Sequence, residues 1–121
     1  MVNGDCYEGE MVAGQMSGIG KYQWANLDVY RGTFLQNKRH GKGRHKYAVK
    51  GCVFEGSYVD DLRSGYGVYT YKNGDRYEGS WENDVFEGRG VLLGSDGTKF
   101  EGDFKDGKLM WENQTTEEQD Q

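Results

Sequence analysis

The feature that most constrains this chain is a triplet of an aromatic residue, a charged residue and a glycine, which recurs at nearly constant spacing. Successive triplets are 23, 24, 23 and 23 residues apart. The five occurrences are Tyr7-Glu8-Gly9, Tyr30-Arg31-Gly32, Phe54-Glu55-Gly56, Tyr77-Glu78-Gly79 and Phe100-Glu101-Gly102. A period of this length is typical of repeat proteins, in which each unit packs mainly on its neighbours. We number the units one to five from these triplets.

Two further features recur in register with the triplet. An apolar residue stands two positions after each triplet glycine: Met11, Phe34, Tyr58, Trp81 and Phe104. A Gly-x-Gly pair follows in the first four units: Gly18/Gly20, Gly41/Gly43, Gly65/Gly67 and Gly88/Gly90. Alternation at period two on both sides of a short polar turn predicts a β-hairpin in each unit. The sequence therefore predicts an all-β, elongated, single-layer antiparallel meander of about nine strands, with about four complete repeats and partial ends over residues 3–108.

The repeated glycines need a physical cause, because glycine weakens a strand. The chain has 20 glycines, no proline and 14% aromatic residues. We expect an aromatic ring to lie across the glycine backbone at the place where a Cβ would clash. Since one hairpin is marginal in water, stability should come from the rings of one unit packing on those of the next.

The complete pattern is Tyr-Glu-Gly-x-Trp, a short turn, Gly-x-Gly-x-Tyr-x-Tyr, and then Asn-Gly or Asp-Gly. This pattern resembles the MORN repeat over residues 3 to about 108, most specifically in units three and four. Unit four departs from it at Leu92 and Gly94, where the other units mostly carry aromatic residues. The resemblance implies protein partners and self-association in cytoskeletal or ciliary scaffolds. It also implies membrane association in some members and a place beside a catalytic domain in others, such as some lipid kinases and a histone methyltransferase.

The net charge of −5 is unevenly distributed along the chain. Residues 1–59 carry +3 and residues 60–121 carry −8. An acidic balance argues against a general nucleic-acid or membrane binder, since phosphates and anionic lipids attract positive charge. No apolar stretch is long enough for a signal peptide or a membrane span, so we expect a cytoplasmic protein. The resemblance further implies association with the cytoskeleton, a cilium or a membrane. Residues 109–121 are expected to form an acidic extension, disordered or helical.

Catalytic, metal and cofactor sites are not indicated. His45 stands where other units have Tyr22 and Tyr69, so we expect a packing role, and neither it nor His40 has zinc-type ligand spacing. The Gly-x-Gly pairs never extend to the dinucleotide fingerprint, which excludes that cofactor site. The repeated glutamates, Glu8, Glu55, Glu78 and Glu101, are expected to form a solvated row rather than acid/base pairs.

The aromatic face is the predicted partner surface. Most of its rings should pack on each other, but a single-layer sheet cannot bury both faces, so part of the face should form an open groove for a peptide or helix. The predicted groove residues are Tyr30, Phe34, Phe54, Tyr58, Tyr71, Tyr77, Trp81, Phe100 and Phe104.

A basic stretch in unit two is the second predicted surface. Period-two alternation places Lys42, Arg44 and Lys46 opposite the aromatics, and Lys38 and Arg39 should join them at the turn. This stripe could hold an acidic partner or an anionic phospholipid. The leading interpretation is a non-catalytic scaffold that binds protein partners and self-associates. Lipid binding through the stripe, and an accessory array of a larger enzyme, are the alternatives.

Overall fold

The sheet is a single open meander. The computed structural model describes residues 4–110, the last two by their backbone alone. Its strands are Cys6–Val12 (β1), Gln15–Gln23 (β2), Val29–Leu35 (β3), Lys38–Lys46 (β4), Val53–Val59 (β5), Leu62–Thr70 (β6), Arg76–Glu82 (β7), Val85–Leu93 (β8), Lys99–Lys105 (β9) and Lys108–Met110 (β10). They lie in sequence order in one antiparallel sheet, which confirms the predicted fold class. The sheet has ten strands rather than about nine.

The last strand extends beyond the predicted end of the repeat array. β10 runs to Met110, two residues past residue 108, where the array was expected to end. It pairs with the final three residues of β9. The rest of the predicted acidic extension, residues 111–121, lies outside the described residues.

Each hairpin closes through a two-residue turn in which both residues have positive φ, as in a type I′ turn. The five pairs are Ala13/Gly14, Gln36/Asn37, Asp60/Asp61, Asn83/Asp84 and Asp106/Gly107. Asn, Asp and Gly tolerate this region better than other residues, which explains the polar turn segments. The turn type matches the right-handed twist of the flanking strands and fixes the register of each hairpin.

The repeated glycines lie beneath aromatic rings, as predicted. A Cβ built on Gly67 would lie 2.5 Å from Phe54, and one built on Gly90 would lie 2.5 Å from Tyr77. Real Cβ atoms do not approach other heavy atoms this closely, so larger residues would displace the ring. The first glycine of each Gly-x-Gly pair has φ between 92° and 96°, a conformation that side chains disfavour. The first glycine of each pair is therefore required by its backbone conformation, and the second by the ring that lies over it.

Eight rings form a continuous row across the aromatic face, which we call the core row. In order of contact they are Tyr7, Phe34, Tyr30, Tyr58, Phe54, Trp81, Tyr77 and Phe104. Consecutive centroids lie 5.0–5.5 Å apart with near-perpendicular planes. This edge-to-face geometry suits the charge distribution of the rings and links all five hairpins.

Successive hairpins are also joined by a contact that we call the turn clamp. The second turn residue donates its backbone N–H to a carbonyl at the start of the preceding hairpin's second strand, as from Asp84 to Arg63 at 3.0 Å. Its side chain accepts the N–H of that same residue, at 2.8 Å in this pair. Asp61 and Arg39 repeat both bonds in the hairpin before. Asn37 makes both bonds with Met16, so three successive turns are fixed in this way, whereas Gly107 keeps the backbone bond alone, to Phe86.

Candidate functional site

A second row of rings follows the connections between hairpins, and we call it the loop-edge row. Its members, in order, are Tyr22, Trp24, His45, Tyr47, Tyr69 and Tyr71. Adjacent centroids lie 4.1–6.1 Å apart. One unit further along, the positions that correspond to Tyr69 and Tyr71 hold Leu92 and Gly94. The row therefore ends at Tyr71, at the departure from the repeat pattern seen in the sequence.

A depression of about 540 Å³ opens where the loop-edge row ends. We call its apolar and aromatic lining residues, Cys52, Tyr71, Leu92 and Phe100, the floor, and Gly94 also lines it. Two lysines and several loop groups complete the lining: Lys50, Lys72, Asn73, Asp75, Leu93 and Thr98. A volume of this size lies within the range of ordinary ligand pockets.

Cys52 contributes to the depression by replacing an aspartate. In other units this position holds Asp5, Asp28 and Asp75, which accept backbone N–H bonds of 2.8–2.9 Å from the next connection. Cys52 instead places a buried sulfur there, and its Sγ lies 3.8 Å from the carbonyl of Lys50. The floor is consequently less polar than the corresponding sites of the other units.

The structure sorts the nine predicted groove residues into two groups. Seven belong to the core row and are at most 5% exposed: Tyr30, Phe34, Phe54, Tyr58, Tyr77, Trp81 and Phe104. The expectation that most rings pack on each other is confirmed for these seven, so a groove lined by all nine is not present. Tyr71 is half-buried and Phe100 is 45% exposed. These two reach the surface, and both line the depression.

His45 is a packing residue, as its position predicted. Its ring is buried in the loop-edge row, 4.1 Å from the ring of Tyr47. Nε2 lies 3.2 Å from the Asp28 carboxylate and Nδ1 lies 3.1 Å from Nη1 of Arg39. Because a guanidinium can only donate, Nδ1 accepts and Nε2–H donates to Asp28. Burial lowers the pKa of His45, and the bond to Asp28 offsets part of that effect.

The basic stripe is placed largely as predicted. Lys42, Arg44 and Lys46 are exposed on the face opposite the rings, since they alternate with Gly43 and buried His45 along β4. Lys38 is exposed beside the turn.

Arg39 does not belong to the stripe, and the prediction is corrected there. It pairs across the hairpin with Phe34 and so lies on the aromatic face. Its guanidinium sits 4.9 Å above the ring of Tyr58, and Nε bonds Asp61 at 3.1 Å. Arg39 is therefore a packing residue, and it is in phase along β4 with Gly41 and buried His45, which lie opposite Tyr58 and Phe54 on the same face.

The sequence analysis missed two members of the basic surface. Arg31 faces Arg44 directly across β3 and β4, and Lys21 faces Arg31 across β2 and β3. We call these two, with Lys42, Arg44 and Lys46, the basic face. Arg31 could have been found from the triplet, where it replaces the glutamate of the other four units.

Ion pairing distinguishes the basic face from the rest of that sheet surface. In units four and five, Arg76, Arg89 and Lys99 each have a carboxylate partner within 4 Å. Within the basic face, Arg44 has a partner, Glu55, at 4.0 Å. The glutamates of the predicted row lie across this same face, where they pair with basic side chains or meet solvent.

Two other classes of site are absent from residues 4–110. This part of the chain has no cluster of three or more His, Cys, Asp or Glu arranged to hold a metal ion. It also has no helix with the length and apolar character needed to cross a membrane.

Similarity to known proteins agrees with the repeat boundaries. A family model of the MORN repeat matches residues 7–29, 30–51, 54–76, 77–99 and 100–110, and each match begins at a triplet aromatic. Alsin from Homo sapiens and from Mus musculus is 36% identical over 69 residues, covering 54% of this chain and 4% of alsin. MORN repeat-containing protein 3 from Xenopus laevis is 39% identical over 48 residues, covering 40% of this chain and 20% of that protein. The chain thus spans a small part of either relative's length. With five family matches over most of its length, and a hairpin in each, the chain belongs to the MORN repeat family.

Proposed function

We propose that this chain is a non-catalytic interaction module that holds a protein partner in the depression at the end of the loop-edge row. The observation that carries the proposal is the meeting of Tyr71 and Phe100 there, the two predicted groove residues that reach the surface. An apolar side chain of a partner would be desolvated on this floor, which is how interface anchors gain most of their binding energy. The remainder of the aromatic face serves to hold the sheet together.

Photo-crosslinking tests this proposal in the full chain. A photoreactive side chain placed at Lys72, on the rim, should give a discrete protein adduct in cells. The same group at Lys46, on the opposite face, is the matched control. Adduct formation from position 72 should fall at least fivefold when Phe100→Ala is added, and should be unchanged by Tyr66→Ala, an exposed aromatic outside the depression. Adducts from position 46 alone would overturn the proposal.

Self-association belongs to the same proposal, as expected of a scaffold. Its support is the charge difference between the two halves of the chain, which favours contact between unlike ends. Light scattering should show a mass that rises with concentration and falls as salt is added. A monomeric mass at every concentration and salt would remove this part and leave the depression unaffected.

Anionic phospholipid binding is the second candidate function. The observation that favours it is the basic face, where, among residues 4–110, one of five cations on three adjacent strands has a carboxylate within ion-pairing distance. Each cation near an anionic surface contributes about 1 kcal/mol. Flotation with acidic liposomes at low salt should therefore recover the chain, and Lys42→Glu with Arg44→Glu should abolish recovery. Lys50→Glu with Lys72→Glu makes the same charge change elsewhere and should have little effect. Absence of flotation at low salt would exclude this function.

A further inference from the structure

The depression exists because the repeat is broken there. In units one to three the two loop-edge positions hold Tyr22 and Trp24, His45 and Tyr47, and Tyr69 and Tyr71. Leu92 and Gly94 leave the next two places without rings, directly beyond Tyr71. The volume beside Tyr71 therefore corresponds to side chains that the repeat supplies in its other units. Its shape suits an aromatic side chain, since the preceding rings of the row stack at 4.1–6.1 Å.

Charge at the rim of the depression is basic. Lys50 and Lys72 both line it and both are exposed. The stem of Lys72 lies near Gly51, where a Cβ would be 3.1 Å from its Cγ and Cδ. The acidic group of the lining, Asp75, already accepts bonds from Ser95 N–H and the Asn73 amide. The two ammonium groups are thus available to an incoming carboxylate.

The floor also offers a hydrogen-bond donor. Burial raises the pKa of Tyr71, so its phenol keeps its proton at neutral pH. A phenol and two ammonium groups around an apolar floor recognise a carboxylate beside an apolar group, because each polar group then retains a partner when water leaves.

From these observations we infer that the partner segment is an acidic peptide with an aromatic anchor, whose ring continues the loop-edge row beyond Tyr71 and whose flanking carboxylates meet Lys50 and Lys72. This inference rests on the proposed function and adds the chemistry of the partner. The same surface discriminates against basic segments, which would bring like charges together at the rim.

Fluorescence anisotropy with short labelled peptides tests the inference on the full chain. The probes are Gly-Glu-Glu-Trp-Glu-Glu, its basic counterpart Gly-Lys-Lys-Trp-Lys-Lys, and the anchorless Gly-Glu-Glu-Ser-Glu-Glu. The first should bind at least tenfold more tightly than either of the others. Absence of binding by the acidic tryptophan peptide, or equal binding of the three, would overturn the inference.

Variants locate the binding and separate the two requirements. Lys50→Glu with Lys72→Glu should weaken the acidic tryptophan peptide at least tenfold. Lys42→Glu with Arg44→Glu, the same charge change on the opposite face, should leave the affinity within twofold. Leu92→Tyr restores a ring that other units carry and keeps the charge, so it should also weaken binding about tenfold by filling the depression. Equal losses from both charge variants would show a general electrostatic effect and overturn the inference.

Failure of this inference can be distinguished from failure of the proposed function. If the basic tryptophan peptide bound more tightly than the acidic one, and the loss with Leu92→Tyr persisted, the depression would remain a protein-binding site and the acidic partner would be wrong. If the photoreactive group at position 72 also gave no protein adduct, both the acidic-peptide inference and the proposed function would be overturned.

Discussion

At the scale of single residues, the core row contains one polar atom that the fold leaves unsatisfied. Among the described residues, the Tyr58 hydroxyl is buried without a hydrogen-bond partner. The equivalent positions in units two and five hold Phe34 and Phe104, which have no such group. Tyr30, by contrast, donates its hydroxyl to the carbonyl of Thr33 at 2.9 Å. Two buried tyrosines of one row therefore differ in whether the hydroxyl stabilises the fold.

Removing the two hydroxyls should have opposite effects. Tyr58→Phe should raise the free energy of unfolding by about 1 kcal/mol, because a buried unpaired hydroxyl costs roughly 1–3 kcal/mol. Tyr30→Phe should lower it by about 1 kcal/mol, because it breaks a bond that is made. Urea unfolding of both variants is the measurement. Destabilisation by Tyr58→Phe would mean that its hydroxyl has a partner in solution.

His45 should make stability depend on pH. Its folded-state pKa is lowered from 6.5, mainly by burial, so below about pH 6.5 the unfolded chain binds a proton that the folded chain does not. Stability should therefore fall as the pH decreases from 6.5 towards the folded-state pKa, at up to about 1.4 kcal/mol per pH unit. His45→Tyr would place a hydroxyl near Asp28, as Tyr22 does with Asp5, and should remove this component.

The measurement is the free energy of unfolding at pH 7.5 and pH 5.5. The difference between the two should be about 1 kcal/mol smaller in His45→Tyr than in the parent chain. Identical pH dependence in His45→Tyr and the parent chain would contradict the role given to His45.

Residue-level prediction from the sequence succeeded where spacing decides the outcome. The repeat fixes which residues alternate, so it predicted the rings over the glycines and the packing role of His45. Arg39 was assigned to the stripe by its place beside the turn, although alternation along β4 from His45 places it on the aromatic face. The repeat also could not predict which aromatic residues are buried, because burial depends on the neighbouring hairpin. Buried Tyr77 and exposed Phe100 show the contrast.

At the scale of elements, the turn clamp explains why the hairpins keep one orientation. The carboxylate of Asp84 accepts two bonds from Arg63, from the backbone N–H at 2.8 Å and from Nε at 3.0 Å. The same guanidinium lies 4.6 Å above the ring of Trp81. One arginine therefore joins a turn, a strand and the core row, and Arg39 does the same one unit earlier.

Replacing the clamping side chain should destabilise the sheet. Asp84→Gly keeps the positive φ but removes both side-chain bonds, so it should lower the free energy of unfolding by about 1–2 kcal/mol, allowing for partial exposure of the ion pair. Asn83→Gly, at the first position of the same turn, should change it by less than about 0.5 kcal/mol. Urea unfolding compares the two. Equal effects would show that turn conformation, and not the clamp, carries the stability.

Hairpins and their turns were predictable because Asn, Asp and Gly at fixed spacing specify a type I′ turn. The turn clamp was not predictable, because it depends on the lateral offset between hairpins, which the sequence period does not reveal. The extent of β10 was also missed, since unit five lacks the Gly-x-Gly pair that marks the second strand of the other units.

At the scale of the whole molecule, the two faces of the sheet carry different kinds of side chain. One face carries the core row and the loop-edge row, and the depression lies where the loop-edge row ends. The other carries the basic face at units one and two, and compensated charges at units four and five. A regular repeat supplies stability through neighbour contacts, and departures from the repeat supply individual surfaces. Here the departures are Leu92, Gly94 and Cys52 on one face and Arg31 on the other.

The central claim is that a protein partner binds where the loop-edge row is interrupted. Hydrogen exchange of the full chain, alone and bound to the partner identified by crosslinking, tests it most directly. The account predicts slower exchange on binding at residues 71–75 and 92–98, which border the depression, with strands β2 to β4 unchanged. Slower exchange confined to the basic face, with the two border segments unaffected, would contradict it.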